Sequence, residues 1–319
     1  MSVIDVRAPG LLTTVQDAGR DGFGTMGVSV SGAADPVALR IGNRLVGNAE
    51  SAAGLEMTLL GGTFIFSDGG AFALTGADFG ANLDDQSIEM WASVEVRPNQ
   101  TLHLGATRAG ARCYLCVKGG IDVKLFLGSA STHLLSGLGG LEGRALRKGD
   151  VLKIGTAGGT FRTFRKRKVS ERALQKLAPR KVLRVTAGPQ SGWFSEAAQK
   201  AFYESTYRVA EESNRMGLRL EGGAIAEAAG ANGGEMVSEG VSLGAVQITA
   251  SGLPIILFVE QQTTGGYPKI ANVISADLSS LGQLRPRDEI RFERVEMDTA
   301  RALLAKQENL LASKELILE

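Results

Sequence analysis

Glycine is the residue that most constrains what this chain can fold into. It fills 42 of 319 positions, which is about twice its average usage in proteins. The apolar runs between the glycines are short, and aromatic residues make up only 6% of the chain, so the core must consist mainly of Ala, Val, Ile and Leu. Short apolar runs bounded by turn-forming residues are typical of strands. We therefore expect a mainly β fold with tight turns and a few short helices.

Apolar segments predict two groups of strands along the chain. In the first half the predicted strands are Val3–Ala8, Thr63–Phe66, Ala71–Thr75, Ser93–Val96, Thr101–Leu104, Ala111–Val117 and Val151–Ile154. In the second half they are Val182–Ala187, Leu218–Glu221, Ala245–Thr249 and Pro254–Val259. Helices are predicted near Ser195–Tyr203 and from Asp298 onward, where leucines recur at helical spacing.

One further helix is predicted within the first group of strands. Asp35 is a suitable N-cap, Pro36 fits the first helical position, and Gly47 fits the C-terminal stop. The side chains that recur at helical spacing are Val37, Ala38, Ile41 and Leu45. They predict the face that this helix buries.

A faint internal repeat indicates two related domains in tandem. LRKGDVLKI, Leu146–Ile154, resembles LRPRDEIRF, Leu284–Phe292, and each predicts a turn that leads into a half-buried strand. Self-similarity of this kind is typical of repeated structural units. We predict domains at 1–160 and 181–297, followed by a C-terminal helix at 298–319.

A basic stretch separates the two predicted domains. Between Arg162 and Lys181 there are nine lysines or arginines and one acid, Glu171. Such a charge run is typical of a solvated linker and helix face, so we assign 161–180 to a linker. A docking surface for an acidic partner is the alternative.

Charge and cysteine usage exclude several functional classes. Lys and Arg total 35 against 34 for Asp and Glu, so no global field attracts nucleic acid or a membrane. Without a signal peptide or an apolar run near the roughly 20 residues of a membrane span, we expect a soluble, cytoplasmic protein. Cys113 and Cys116 lie in a predicted strand, whose side chains alternate between faces, so buried thiols are favoured over a redox pair or zinc site. His103 and His133 are too few for a multi-histidine zinc site.

The segment TTVQDAGR is the first candidate site. Asp17 and Arg20 are three residues apart, in a turn that Gly19 permits. Arg20 offers a planar fork suited to a carboxylate or phosphoryl group. Asp17 could orient this arginine or act as a base, and Gln16 adds a neutral donor and acceptor. An Asp–Arg pair that only holds the loop fits the pattern equally well.

The segment SGAADP contributes two weaker candidates, Ser31 and Asp35. They lead into the predicted helix, and the free amides at a helix N-terminus favour anions. Capping of the helix by Asp35 is a sufficient structural explanation for that residue.

The segment SNRMGLRLEG contains two arginines close together, Arg215 and Arg219. They require carboxylates or a ligand nearby, and Asn214 favours a turn or a helix cap. The acids nearest in sequence, which could satisfy them, are Glu211, Glu212 and Glu221. A structural and a functional role are both compatible with this pattern.

The sharpest signal is the loop QQTTGGYP, which directly follows the apolar strand PIILFVE. A turn needs only one or two glycines, whereas this loop has six consecutive polar or backbone-open positions. The candidate residues are Gln262, Thr263, Thr264, Gly265, Gly266 and Tyr267. The hydroxyls and open amides can cradle an oxyanion, and the tyrosine can donate a proton or stack. An Ω-loop closed by Pro268 is the structural alternative.

The segment GLGGLEG, Gly137–Gly143, is similar to a phosphate loop. It lacks the Gly-Lys-Ser/Thr ending that such loops need to reach the phosphates and the metal. We therefore interpret it as a turn ahead of the strand that closes the first half.

Taken in order, six segments resemble the biotin-dependent carboxyltransferase subunit 2 family. They are APGLLTTVQDAGR, SGAADPVALRIGNRLVGN, LTGAD, GGLEGR, SNRMGLRLEG and QTTGGYP. The resemblance runs from residue 3 to residue 295 and implies tandem cyclophilin-like β-barrel domains in a heteromer. The family includes allophanate hydrolase subunit 2, the antagonist of the sporulation kinase inhibitor (KipA-like) and the C subunit of 5-oxoprolinase.

For a standalone chain the resemblance implies the C subunit of an ATP-dependent 5-oxoprolinase, which opens 5-oxo-L-proline to L-glutamate. The implied partners are the LamB/YcsF-like A subunit and the KipI-like B subunit, with ATP used in the complex. The chain has no biotin carboxylase segment and no Met-Lys-Met motif, so we expect no covalent biotin on it. The alternatives are a carboxyltransferase component that uses biotin from another chain, and a non-catalytic antagonist of a kinase-inhibitor protein.

The implied chemistry assigns hypothetical roles to the candidate residues. Arginines would bind the substrate carboxylate and the phosphoryl group, Asp17 would act as a base for water, and the Thr264–Gly266 loop would hold an oxyanion. The predicted catalytic residues are Asp17, Arg20, Arg215 and Tyr267. The predicted substrate-binding residues are Gln16, Ser31, Asp35, Asn214, Arg219, Gln262, Thr263, Thr264, Gly265 and Gly266. No metal is expected.

Overall fold

The structure of the protein is a computed structural model that describes residues 2–156, 164–226 and 236–319. Residues 157–163, which include Arg162 and the start of the predicted linker, lie outside the described part. The chain folds as two compact units. The first unit comprises Met1–Arg20, Ser31–Leu177 and Leu310–Glu319, and the second comprises Asp21–Val30 and Ala178–Asn309. In this division residues 21–30 belong to the second unit and residues 310–319 to the first.

The first unit consists mostly of short strands. They are β1 Val3–Ala8, β2 Leu12–Gln16, β3 Gly54–Thr58, β4 Thr63–Phe66, β5 Gly70–Asp78, β6 Asn82–Leu83, β7 Gln86–Ser87, β8 Ser93–Val96, β9 Thr101–His103, β10 Ala109–Val117, β11 Ile121–Asp122, β12 Val151–Ile154 and β13 Lys168–Val169. Its helices are α1 Pro36–Leu45 and α2 Glu171–Leu177. Every strand predicted in this half is present, but β2, β3, β6, β7, β11 and β13 were not predicted.

Two sheets enclose the core of the first unit. One has the strand order β11-β12-β1-β4-β9-β6-β7, and the other has the order β2-β3-β10-β5-β8. Apolar side chains from both sheets form one cluster, in which Phe66 stacks on Phe72 with ring centroids 5.4 Å apart. Along β10, Cys113 enters this cluster, whereas Cys116 enters a second cluster on the opposite face. The predicted burial of the two thiols on opposite faces is confirmed.

Helix α1 packs against that opposite face of the five-stranded sheet. The Asp35 carboxylate accepts the Ala38 amide at 3.0 Å, which confirms the predicted N-cap. The predicted apolar face is buried, at Val37, Ala38, Ile41 and Leu45. Helix and sheet approach closely at Gly42, where a Cβ atom would lie only 2.6 Å from Cys116 Sγ.

The second unit is built around a closed barrel. Its strands are β14 Val182–Ala187, β15 Tyr207–Val209, β16 Gly217–Glu221, β17 Glu239–Gly240, β18 Ala245–Ile248, β19 Pro254–Leu257, β20 Thr264–Gly265, β21 Lys269–Val273 and β22 Glu289–Arg294, and its helices are α3 Glu196–Glu204, α4 Leu278–Gly282 and α5 Met297–Ala312. The barrel order is β14-β21-β18-β19-β16-β15-β22, whereas β17 and β20 form a separate two-stranded ribbon. The last strand, β23 Ile317–Leu318, belongs to the first unit, where it pairs with β13. The predicted mainly β fold with barrel architecture is confirmed.

The internal repeat corresponds to a repeated local structure. Ahead of β12 the Asp150 carboxylate accepts the backbone amide three residues earlier at 2.7 Å, and ahead of β22 the Asp288 carboxylate does the same at 2.9 Å. The residue before each aspartate has a positive φ, +91° at Gly149 and +71° at Arg287. Glycine adopts this conformation freely, whereas arginine bears a steric cost. One turn geometry therefore precedes both strands.

Basic side chains of the predicted linker pair with acids. Lys166 and Lys168 both bind Glu89, and Arg167 lies 3.3 Å from Glu319. These contacts favour the linker interpretation over a surface of unpaired basic side chains that docks an acidic partner. Among the described residues, no helix combines the length and the apolar character needed to cross a membrane.

Candidate functional site

The Asp17 carboxylate is saturated by donors from its own chain. Oδ1 accepts the Gly19 amide at 2.8 Å and the hydroxyls of Ser129, at 2.6 Å, and Ser131. Oδ2 accepts the Ala130 amide at 2.7 Å. Asp17 is only 8% exposed and both serines are fully buried. These contacts fix the turn after β2, which is a structural role for Asp17.

The Arg20 guanidinium is buried against backbone carbonyl groups. Nε donates to the Phe126 carbonyl oxygen at 3.4 Å, Nη2 donates to the Ser131 carbonyl oxygen, and the guanidinium lies 5.6 Å from the centre of the Phe126 ring. A charged group that is only 1% exposed needs such polar contacts to offset the loss of water. Binding of a ligand by Arg20 would require these contacts to be exchanged.

Gln16 and Ser31 meet at the carbonyl oxygen of Thr132. Gln16 Nε2 donates to it at 3.1 Å and Ser31 Oγ at 3.2 Å. Both side chains are buried, and among the described residues no donor reaches Gln16 Oε1. The structure therefore brings Gln16, Asp17, Arg20 and Ser31 together around one segment, residues 129–132.

Asp35 belongs to a buried network that the sequence did not reveal. Its backbone amide donates to the Tyr114 hydroxyl at 2.7 Å, which in turn donates to Glu56 at 2.7 Å. Glu56 also accepts the Ala34 amide at 2.8 Å and lies 3.5 Å from Arg112. Burial, followed by the nearby Glu56 carboxylate, raises the pKa of Tyr114, so the phenol stays a donor. The network anchors the turn that leads into α1.

The segment Gly137–Gly143 folds back on the same region. Leu138 and His133 exchange backbone hydrogen bonds, and the Gly140 amide donates to the Ala130 carbonyl oxygen at 3.0 Å. The Gly143 amide closes the loop on itself. Because these amides serve internal contacts, the turn interpretation is confirmed.

Arg215 forms a buried ion pair in the second unit. Its Nε donates to Glu260, and the two side chains are 5% and 2% exposed. The Glu260 amide donates to the Arg215 carbonyl oxygen at 2.8 Å. Two of the acids considered as partners from sequence proximity, Glu211 and Glu221, pair instead with other arginines. Pairing across 45 residues of sequence cannot be derived from local spacing.

The other two candidate residues of this motif, Asn214 and Arg219, are exposed to solvent. Asn214 Oδ1 accepts the Met216 amide at 2.8 Å, which confirms the predicted turn. Arg219 lies in β16 with an exposed side chain. Of the two arginines, Arg219 is thus the accessible cation.

The loop QQTTGGYP forms part of the two-stranded ribbon. Thr264 and Gly265 make up β20 and pair with β17, and the Thr263 carbonyl oxygen accepts the Val241 amide at 3.2 Å. Gly265 is buried, and a Cβ atom there would lie 2.6 Å from Gln247 Nε2 and 3.0 Å from Gln262 Nε2. The neighbouring positions Gln262, Thr264, Gly266 and Tyr267 are exposed. The loop therefore combines accessible hydroxyl and amide groups with tight packing at one glycine.

A buried lysine follows this loop directly and was not predicted as a site residue. Lys269 Nζ lies 2.7 Å from Glu239 Oε1, with side-chain exposures of 3% and 46%. Gln190 Nε2 donates to the same oxygen at 2.8 Å, and Gln247 is the cross-strand neighbour of Lys269. Hydrogen bonds from Lys269 first, and then Gln190, hold the pKa of the Glu239 carboxyl below its usual value. The sequence signal was a lysine at the head of the apolar strand KIANV.

Each unit thus holds one cluster of predicted residues on a β framework. Among residues 2–156, 164–226 and 236–319, no three His, Cys, Asp or Glu side chains are placed to hold a metal ion. The chemistry that the described side chains offer is hydrogen bonding and charge. Such sites suit small polar or anionic ligands.

Comparison with known proteins identifies the family. The chain matches the model of the carboxyltransferase domain, subdomain A and B, over residues 26–294. The chain therefore belongs to this carboxyltransferase family.

Relatives of known name cover almost the whole chain. It is 41% identical over 299 residues to the C subunit of 5-oxoprolinase from Escherichia coli (strain K12), covering 94% of this chain and 93% of that protein. It is 37% identical over 308 residues to the C subunit of 5-oxoprolinase from Haemophilus influenzae, covering 97% and 95%. The crystal structure of the K. lactis urea amidolyase is similar with a TM-score of 0.89 and 31% identity, over 99% of this chain and 21% of that one.

Proposed function

We propose that this protein is the C subunit of an ATP-dependent 5-oxoprolinase and opens 5-oxo-L-proline to L-glutamate together with the A and B subunits. The observation that carries this proposal is the similarity to two proteins named as the C subunit of 5-oxoprolinase, since more than nine-tenths of both chains are matched in each case. A match over both full lengths supports the same role more strongly than a match to one module of a larger enzyme.

The reaction needs activation because a lactam carbonyl is a poor electrophile. Transfer of the γ-phosphoryl group of ATP to the lactam oxygen makes the ring carbon reactive. Water then adds to that carbon, the C–N bond breaks, the ring nitrogen takes up a proton, and a second water releases phosphate from the acyl phosphate. A protein site for this sequence must hold a carboxylate and stabilise oxyanions.

The second unit fits these needs better than the first. Asp17 and Arg20 are engaged with internal partners, and Arg215 is neutralised by Glu260. The loop around Thr264 instead presents exposed hydroxyl and amide groups. We infer that substrate contacts of this chain centre on the loop.

Carboxyl transfer from biotin on another chain is the second candidate. The resemblance of the fold to the K. lactis urea amidolyase supports it, at a TM-score of 0.89. In that case the complex would consume ATP and bicarbonate, would carry the carboxyl group on biotin of another chain, and would leave 5-oxo-L-proline unchanged.

Reconstitution of the complex tests the proposal. The chain is combined with the A and B subunits, and glutamate and phosphate are measured with ATP and 5-oxo-L-proline. We expect glutamate and phosphate in equal amounts and none when this chain is left out. Equal glutamate production without the chain, or no glutamate with all three proteins present, would contradict the proposal.

A variant of the loop QQTTGGYP, compared with a matched control, tests whether the Thr264 hydroxyl takes part in catalysis. Thr264→Val removes one hydroxyl from the exposed loop, and loss of an oxyanion donor lowers kcat by about 100-fold. Thr299→Val makes the same change at an exposed position of α5 and should leave kcat unchanged. Equal kcat values for the two variants would exclude a catalytic role for the Thr264 hydroxyl.

A further inference from the structure

Two donors converge on one carboxylate oxygen in the second unit. Lys269 Nζ and the Gln190 side-chain amide lie 2.7 and 2.8 Å from Glu239 Oε1. Lys269 belongs to barrel strand β21, and Gln190 lies in the turn between β14 and α3. The two donors therefore come from different parts of the barrel. An ion pair with an ammonium group and a hydrogen bond from an amide are together a usual means of holding a carboxylate.

The acid in this arrangement is the exposed member. Glu239 is 46% exposed, whereas the Lys269 side chain is only 3% exposed. An ammonium group removed from water needs a counter-charge, but an acid at this exposure can leave for solvent at low cost. The carboxylate is thus the exchangeable partner, and the lysine is the fixed one.

Glu239 also lies in the two-stranded ribbon of β17 and β20, which includes part of the loop QQTTGGYP. It pairs with Gly265 in the register of β17 and β20. Gln247, the cross-strand neighbour of Lys269, donates to the Tyr267 carbonyl oxygen at 3.4 Å. A shift of the ribbon would therefore move Glu239 away from Lys269 and, in the same step, alter the loop that carries the accessible hydroxyls.

We propose that Lys269 and Gln190 form a carboxylate-binding site for the substrate and that Glu239 occupies it as an internal substitute until the substrate carboxylate displaces it. The inference rests on the proposed function, because that function supplies 5-oxo-L-proline as the small carboxylic acid. Its lactam ring would then lie beside the loop QQTTGGYP. Exchange of one carboxylate for another keeps the charge of the buried site balanced.

Opposite effects of two substitutions test this exchange. In the reconstituted complex, Lys269→Gln should raise KM for 5-oxo-L-proline by about 10- to 150-fold, the range for loss of a charge-assisted hydrogen bond of about 1.5–3 kcal/mol. kcat should change little, and Lys269→Arg should restore part of the affinity. Glu239→Gln removes the competitor and should lower KM below the wild-type value. A purely structural ion pair predicts the same direction of change for both variants.

The matched control is another lysine–acid pair of the second unit. Lys181 Nζ lies 2.9 Å from Asp288, and Lys181→Gln should leave KM unchanged. If Glu239→Gln lowers the melting temperature, 5-oxo-L-proline should restore it, because the ligand replaces the missing carboxylate. A KM for Lys269→Gln equal to that of Lys181→Gln, or a raised KM for Glu239→Gln, overturns the inference while leaving the proposed function intact.

A direct binding measurement separates the two proposals. If the wild-type complex makes no glutamate, the proposed function fails, and binding of 5-oxo-L-proline to the chain is measured by calorimetry. Binding that weakens in Lys269→Gln and tightens in Glu239→Gln supports the carboxylate site. No binding to the wild-type chain overturns it.

Discussion

Replacing Asp17 with asparagine decides between the structural and the catalytic interpretation of this residue. The carboxylate accepts four hydrogen bonds, from two amides and two buried hydroxyls. An asparagine retains the shape, but its NH₂ group must face one of these donors. With its oxygen at the Oδ1 position, the Ala130 amide loses its acceptor.

The magnitude follows from these contacts. An unsatisfied buried donor costs about 1–3 kcal/mol, and each of the other three bonds loses the advantage of a charged acceptor, about 1 kcal/mol. The energies of hydrogen bonds to one side chain do not simply add up. We therefore expect the free energy of unfolding to fall by about 3–5 kcal/mol. That is a large part of the roughly 5–15 kcal/mol that stabilises a typical domain.

Urea unfolding followed by circular dichroism measures this loss. Asp21→Asn is the matched control, since Asp21 caps a similar turn through the Gly22 amide at 2.9 Å but is exposed. The control should change stability by less than about 0.5 kcal/mol. An Asp17→Asn variant as stable as this control, yet inactive in the complex, would refute the structural interpretation and favour a catalytic base.

Three further predictions follow from single contacts. Gly42→Ala should lose about 1–2 kcal/mol of stability in urea unfolding, because the new methyl group would lie 2.6 Å from Cys116 Sγ and overpacking outweighs the better helix propensity; Cys116→Ala in the same chain should recover most of it. Burial raises the pKa of the Cys113 and Cys116 thiols, so neither should react with a thiol reagent at pH 8 until the protein is unfolded, and rapid native labelling would contradict this. The Arg144 hydrogen bond holds the pKa of Asp150 below its unfolded value, so its contribution is present at pH 7 and is lost as pH falls through the folded pKa; Asp150→Asn should lose about 1 kcal/mol in urea at pH 7 and nothing at pH 2, and an equal loss at both pH values would contradict the assignment.

Local signals in the sequence predicted much of the fold. The Asp35 cap and the apolar spacing of α1 depend on interactions within a few residues, so they can be recognised from the sequence. The alternation in β10 correctly placed Cys113 and Cys116 on opposite faces. Strands β2 and β3 escaped prediction because they carry polar side chains, such as Gln16 and Glu56, that are buried only through distant partners.

The residues of the candidate site also divide into features that follow from local sequence and contacts that only the fold creates. The sequence by itself determined the mainly β class, the loop QQTTGGYP and the turn that precedes both β12 and β22, since each depends on residue types and short spacings. The tertiary structure alone decided which charges meet: Arg215 with Glu260, and Lys269 with Glu239 and Gln190. Their attraction depends on distance in space and on the exclusion of water, and neither quantity is encoded in the separation of two residues along the chain.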